Sequence, residues 1–151
     1  MLAKSERYPE PRVYALDRIH ALEPTECKFK LPKKFDAAKF FEDYYGIIIG
    51  DEDFDVCPVA LKVDSWQSKY LRTLPLHHTQ VEVECNEEYS IFEYRLCPTF
   101  DFRQKLLSMG EAIEVLAPQE LVYQMRDEGQ GIVDMHQMPE MAYYEFKVYK
   151  K

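Results

Sequence analysis

The sequence predicts an α+β fold with the order strand, helix, strand, strand, helix, strand at its centre. Several short segments alternate apolar and polar residues, which is typical of half-buried strands. Other segments place apolar residues at helical spacing behind good N-cap residues. The chain has 151 residues, of which 46% are hydrophobic and 30% are charged, so it is long enough to bury a core without disulfides or metals.

The first 34 residues are predicted to form a hairpin and a linker. Residues 2–6 and 12–22 are strand candidates. Residues 7–11 contain two prolines, which interrupt ladder hydrogen bonding and therefore predict a turn. Residues 24–34 are predicted to be the linker.

A helix is predicted to begin after Asp36, which is a suitable N-cap. Four aromatic residues follow at helical spacing, and Gly46 is expected to end the helix: Phe40, Phe41, Tyr44 and Tyr45. Core packing is the first interpretation of these aromatic residues, and a dimer interface is the second.

The central elements begin with a strand over residues 56–63. Asp64 resembles the N-cap of a capping box and predicts a helix, whose apolar stripe consists of Trp66, Tyr70, Leu71 and Leu74. Residues 80–85 and 90–97 alternate on either side of a polar loop, so they predict an antiparallel hairpin.

A second helix is predicted after Thr99 and is expected to stop at Gly110. A strand over residues 112–116 follows, and Pro118 suits the start of another helix. This strand and helix order is that of the split βαβ, or ferredoxin-like, arrangement.

The last 25 residues differ from this pattern. Residues 128–131 include two glycines and predict a flexible segment, whereas residues 142–151 alternate and predict either one more strand or an arm on a partner. The predicted division is therefore 1–34 for hairpin and linker, 35–126 for the ferredoxin-like module, and 127–151 for the arm.

Charge and hydropathy restrict the class of protein. The net charge of −8 argues against a chain that binds nucleic acid over its whole surface, although a local basic patch is compatible with it. No apolar run approaches the length of a membrane span, and the N-terminus does not resemble a signal peptide. We therefore expect a cytoplasmic protein without membrane contact, whose four separated cysteines are core thiols.

Three stretches carry a resemblance to a known family. Residues 12–19 (RVYALDRI) resemble the R-x-F/Y-x-L-D-R-I signature that closes the WYL domain of bacterial transcriptional regulators. Residues 71–80 (LRTLPLHHTQ) and residues 107–118 (LSMGEAIEVLAP) resemble two stretches of the C-terminal extension, WCX, that follows this domain. Their order and spacing also agree, and the resemblance covers roughly residues 2–125.

The resemblance implies a role in regulation. In such proteins an N-terminal helix-turn-helix reads DNA, an Sm-like WYL barrel senses a ligand, and the ferredoxin-like extension supports dimerisation. It implies a homodimer, a nucleotide or single-stranded nucleic acid as effector, and contact with duplex DNA only through a helix-turn-helix that this chain lacks. A stand-alone protein–protein interaction module is the alternative, and an enzyme is the least favoured class because the sequence shows no acid–base or nucleophile set.

The sequence also departs from the family. The Trp-Tyr-Leu triplet and most barrel strands are absent, so the chain is expected to be truncated within the WYL domain, by a cloning boundary or a misplaced start codon. The barrel remnant would leave an exposed sheet edge, which favours pairing with a second copy.

Arg12, Tyr14 and Arg18 are the main candidate ligand residues. They lie at even-numbered positions of the predicted strand, so their side chains can point the same way. The resemblance places such arginines in the ligand groove. Guanidinium groups there suit a phosphate, and an aromatic ring suits a base. Alternatively, the arginines are solvated charges and Tyr14 belongs to the core. The ligand role is favoured for Arg18, the two interpretations are balanced for Arg12, and core packing is favoured for Tyr14.

Other polar residues give weaker indications of a binding site. Arg72 is a further candidate for anion binding, although a solvated position is favoured. His77 and His78 fit a turn better than a metal site, because no cysteine or carboxylate lies at ligand spacing nearby. The sequence contains no phosphate-binding, dinucleotide-binding or nucleophile motif, so no metal, cofactor or catalytic residue is expected.

Overall fold

The computed structural model describes residues 1–5, 7–28, 34–50 and 52–136. An N-terminal hairpin pairs β1 (Leu2–Ser5) with β2 (Tyr8–Val13) in antiparallel register. The predicted turn over residues 7–11 is wrong, because Ser5 already pairs with Tyr8. The prolines at 9 and 11 lie in β2, and a two-stranded sheet has only edge strands, where a missing N–H is tolerated.

The predicted strand over residues 12–22 is also wrong beyond Val13. Residues Leu16–Arg18 form a 3-10 turn, in which Arg18 N–H donates to Ala15 O over 3.3 Å. The register places Val13 opposite Leu2, and Tyr14 N–H donates to Met1 O over 2.7 Å. Beyond Tyr14 the backbone hydrogen-bonds locally, and Ile19 N–H likewise donates to Leu16 O over 3.2 Å.

Asp36 caps helix α1 (Ala37–Phe41) as predicted, accepting from the N–H groups of Ala38 and Lys39. The helix is shorter than expected. Cys97 N–H donates to Asp43 O over 2.8 Å, and Tyr44 forms a parallel bridge with Cys97. Pairing with this distant residue draws the chain after Glu42 out of the helix.

A four-stranded antiparallel sheet forms the centre of the molecule. Its strands are β3 (Cys57–Asp64), β4 (Val81–Cys85), β5 (Tyr89–Leu96) and β6 (Ile113–Ala117), in the spatial order β4-β5-β3-β6. All four lie within two residues of the predicted segments, and the α+β class is confirmed.

Three helices accompany this sheet: α2 (Ser65–Thr73), α3 (Phe100–Leu107) and α4 (Gln119–His136). Asp64 caps α2, accepting from Gln67 N–H over 2.6 Å. After α3, Gly110 adopts φ +59°, a conformation suited to glycine.

The hydrophobic core lies between the sheet and these helices. Alternate residues of β3 and β5 face inwards and meet one face of each helix. The buried members on these elements are Val59, Leu61, Val63, Leu71, Phe92, Tyr94, Leu96, Phe102, Leu106 and Leu121.

The predicted apolar stripe of α2 is wrong for three of its four members. Only Leu71 is buried, whereas Trp66, Tyr70 and Leu74 are 65%, 54% and 78% exposed. The fully buried Ser68 takes the inward position one turn before Leu71, and its hydroxyl donates to Asp64 O over 2.6 Å. A satisfied serine therefore replaces an apolar residue on the buried face.

The predicted flexible segment over residues 128–131 is wrong, because α4 continues through it to His136. The predicted strand or arm over residues 142–151, and residues 29–33 of the predicted linker, lie outside the described residues. Within the described part of the chain, no helix is both long and apolar enough to cross a bilayer.

Candidate functional site

The candidate site is a cleft between the N-terminal hairpin and the loop after α1. It has a volume of about 950 Å³ and includes Met1, residues 11–18 and residues 47–49 in its lining. Arg12, Tyr14 and Arg18 all line it, so the structure brings three of the four predicted ligand residues together.

Strand alternation does not explain why all three residues line the cleft. Arg12 lies on β2, Tyr14 follows its last residue, and Arg18 ends the 3-10 turn. The 3-10 turn shortens the rise of the chain per residue, so Arg18 lines the same cleft as Arg12 and Tyr14. Both arginines are exposed and Tyr14 is partly buried.

An isoleucine wall, formed by Ile47, Ile48 and Ile49, lies on the other side of the cleft. Ile47 is 68% exposed and Ile48 is 37% exposed. The cleft therefore combines the guanidinium groups of Arg12 and Arg18 and the carboxylate of Asp17 with apolar side chains. Such a lining suits a ligand with an anionic group and an apolar or planar body.

A second, smaller cleft of about 320 Å³ is more acidic than the first. Its lining includes Asp64, Glu88, Glu111 and Glu114, and its Lys62 lies 3.5 Å from Glu114. Carboxylates dominate this surface, so it repels the anions that the first cleft suits. In the described residues, no three histidine, cysteine, aspartate or glutamate side chains are placed to hold a metal.

Arg72 does not belong to the first cleft. It lies on α2, where its Nε donates to Glu82 Oε2 over 2.9 Å and its Nη2 donates to Ser90 Oγ over 2.9 Å. The guanidinium lowers the pKa of Glu82 to about 2 through these side-chain hydrogen bonds. Arg72 thus ties α2 to β4 and β5 in this structure.

His77 is buried and links two parts of the chain. Its Nε2 faces Glu42 O at 2.9 Å, and its Nδ1 lies 2.8 Å from Thr79 Oγ1. Because a carbonyl only accepts, Nε2 carries the proton. Burial, and secondarily the neighbouring His78, lowers the pKa of His77. The ring therefore holds residue 42 against the turn before β4.

The family profile of the WCX domain matches residues 55–133, slightly more than half of the chain. The chain belongs to the WCX domain family. This confirms the resemblance to the C-terminal extension of WYL-domain regulators. No curated protein is similar enough to the chain to count as a relative.

The WCX module, residues 55–133, contains the four-stranded sheet and helices α2 and α3 entirely. The cleft lies outside this range, on residues 1–49. The arginines and Tyr14 lie within the stretch that resembles the end of a WYL domain. Sequence and structure therefore place three of the candidate ligand residues beside the WCX module, whereas Arg72 lies within it.

Sequence reasoning missed two contributors to the site. The isoleucine wall is one of them, although three consecutive isoleucines outside a predicted strand are a signal for an exposed apolar surface. Asp101 was also missed: its carboxylate accepts from Ile47 N–H over 2.9 Å. No local pattern identifies that contact, because the two residues are 54 positions apart.

Proposed function

We propose that this chain is the ligand-sensing and oligomerisation part of a bacterial, cytoplasmic transcriptional regulator, without catalytic activity of its own. The observation that carries the proposal is the WCX match over residues 55–133. The WCX family is associated with regulators of the WYL type, in which a separate helix-turn-helix contacts duplex DNA.

The proposal includes two finer statements about architecture. The WCX module is ferredoxin-like, which is supported by its βαββαβ order and by the central position of β3 and β5 in the sheet. The hairpin of β1 and β2 is the remnant of an Sm-like WYL barrel. Its support is the RVYALDRI stretch, which begins in β2 and ends after the 3-10 turn.

The proposed effector is a nucleotide or a single-stranded nucleic acid bound in the cleft. Arg12 and Arg18 supply cationic donors for phosphate, and Tyr14 offers a ring for a base. The isoleucine wall provides the apolar side of the pocket. An effector that binds one conformation of the regulator better than another raises the population of that conformation. The DNA affinity of the regulator changes as a result.

Fluorescence anisotropy with a labelled oligothymidylate of about 12 nucleotides tests this proposal. We expect Arg18→Ala to weaken binding about tenfold, because hydrogen bonds to charged groups are the strong ones. The slope of log affinity against log salt concentration should also decrease in magnitude by about one. Arg126→Ala is the matched control, since Arg126 lies on exposed α4 and pairs with Asp127 at 3.2 Å.

The effector proposal would be contradicted if Arg18→Ala and Arg12→Ala each bound this probe, and free nucleotides, as tightly as the wild type does. A regulator that carries the helix-turn-helix allows a second test. Arg18→Ala in that protein should remove the response of operator binding to the effector while leaving binding without effector unchanged.

A second candidate function is a stand-alone protein–protein interaction module. The observation that favours it is the exposed aromatic surface of α2, where Lys69 lies 5.1 Å from the centre of the Trp66 ring. Large exposed apolar side chains are enriched at interfaces. This function predicts that Trp66→Ser weakens partner binding and leaves oligonucleotide binding unchanged.

A further inference from the structure

The side chain of Asp101 holds the isoleucine wall against the WCX module. Asp101, in the first turn of α3, accepts hydrogen bonds at Oδ2 from Ile47 N–H over 2.9 Å and from Ile48 N–H over 3.3 Å. Two consecutive backbone donors on one carboxylate oxygen fix the direction of the loop, because both bonds are charge-assisted.

Gly46 allows this close approach. A Cβ atom at this position would lie 2.0 Å from Asp101 Oδ2 and 2.8 Å from its Cγ. Carbon and oxygen atoms do not approach so closely without a shift, so any larger residue at 46 separates the loop from the carboxylate. The pairing of a glycine with an aspartate 55 positions later is thus a steric requirement of the contact.

The other oxygen of the carboxylate is held by the WCX module itself. Asp101 Oδ1 accepts from Phe102 N–H over 3.1 Å and from the hydroxyl of Thr99. Thr99 is fully buried and Phe102 is a core residue. Asp101 therefore moves with α3 and transmits the position of that helix to the loop.

Two hydrogen bonds and one ring contact also hold the segment before the loop. His77 Nε2 donates to Glu42 O over 2.9 Å, and Cys97 N–H donates to Asp43 O over 2.8 Å. The Tyr45 ring packs on Phe102, with 5.7 Å between ring centres. Contacts with the WCX module thus occur along residues 42–48, and Asp101 makes the contact nearest the cleft.

We infer that Asp101 is a positioning residue through which the WCX module sets the isoleucine wall of the cleft. The inference deepens the proposed function and rests on it for the identity of the ligand. A ligand that presses on the wall biases the position of α3, and a change at α3 alters ligand affinity by the same factor. Asp101 itself does not line the cleft.

Hydrogen exchange of the full chain tests the attachment without any ligand. Asp101→Asn keeps the shape but replaces one acceptor oxygen with a donor, so it cannot accept all four hydrogen bonds. We expect amides 47 and 48 to exchange about tenfold faster in this variant. Gly46→Ala should have the same effect from the loop side while leaving α3 intact, and Asp127→Asn on exposed α4 should match the wild type.

Unchanged exchange of amides 47 and 48 in both Asp101→Asn and Gly46→Ala would overturn the attachment. Using Gly46→Ala guards against a folding defect, since residue 46 lies outside the WCX module.

Oligothymidylate anisotropy then separates the inference from the proposed function. Asp101→Asn should weaken binding several-fold with the salt slope of the wild type, because no phosphate contact is lost, whereas Arg18→Ala reduces the slope. A wild type that binds no probe contradicts the proposed function, while the exchange result still decides the attachment. Probe binding that Asp101→Asn leaves unchanged overturns the positioning role alone.

Discussion

At the scale of residues, the Arg72–Glu82 pair shows how an anion-binding candidate is used within the fold. Arg72 Nε donates to both oxygens of Glu82, and its Nη2 also contacts Cys85 Sγ at 3.3 Å. The two side chains are 39% and 26% exposed. The pair joins α2 to the edge strand β4, which has no buried residue of its own.

The pair predicts a pH dependence of stability. The pKa of Glu82 is about 2 in the folded protein, below the ordinary value of about 4.3 in an unfolded chain. Between these values the unfolded chain binds more protons, so stability is lost as the pH falls through this window. Glu82→Gln should therefore lower the urea midpoint at neutral pH and converge with the wild type near about pH 2.

Glu87→Gln, at the tip of the β4–β5 hairpin, is the control for this measurement and should follow the wild type at every pH. A constant difference between Glu82→Gln and the wild type across the acid range would show that the ion pair does not cause the pH dependence.

At the scale of elements, α4 is the helix that local sequence describes least well. It spans Gln119–His136 although it contains Gly129 and Gly131. Leu121 is fully buried, and Arg103 Nε lies 3.4 Å from Glu128 Oε1 across the contact with α3. Tertiary contacts therefore outweigh the low helix propensity of the two glycines.

The glycines of α4 predict a stabilising double substitution. A Cβ atom at either position would meet nothing within 4 Å. Gly129→Ala with Gly131→Ala should raise the free energy of unfolding by about 1–2 kcal/mol, since alanine is favoured over glycine by about 1 kcal/mol in a helix interior. Urea denaturation followed by far-UV circular dichroism measures the change.

Gly110→Ala is the matched control, because open space also surrounds position 110 but its φ is +59°. This variant should lose stability by about 1–2 kcal/mol. If the double alanine variant left stability unchanged, residues 128–131 would not be helical in solution, and the flexible segment predicted from the sequence would be correct.

At the scale of the whole molecule, the described surface leaves apolar groups without cover. Trp66 and Tyr70 project from α2, while Val81 and Val83 of the edge strand β4 are 57% and 50% exposed. An exposed strand edge and exposed aromatic rings are features that proteins usually cover. They support the proposed homodimer.

Sedimentation equilibrium checks the homodimer directly. We expect a mass of twice 18.0 kDa at micromolar concentration, with dissociation on dilution. The mass should be insensitive to Arg18→Ala, which changes the cleft and not the exposed apolar surface. A mass of 18.0 kDa at every concentration would contradict the homodimer and favour the interaction module with a different partner.

The sequence by itself determined the strands of the central sheet and the starts of two helices. Strands β3 to β6 and the caps of α1 and α2 follow from alternation and from Asp36 and Asp64, because these signals act over a few residues. The sequence motif also singled out Arg12, Tyr14 and Arg18, which line one cleft, and their role in ligand binding remains a prediction. The division into residues 1–34, 35–126 and 127–151 remains a prediction.

Only the tertiary structure decided where those elements end and how the cleft is built. β2 ends at Val13 and a 3-10 turn follows, and α1 stops because Asp43 and Tyr44 pair with Cys97. The Gly46–Asp101 contact joins residues that are remote in the chain. Local propensity carries no information about such pairs, since their free energy depends on distances that exist only after the sheet and helices have packed.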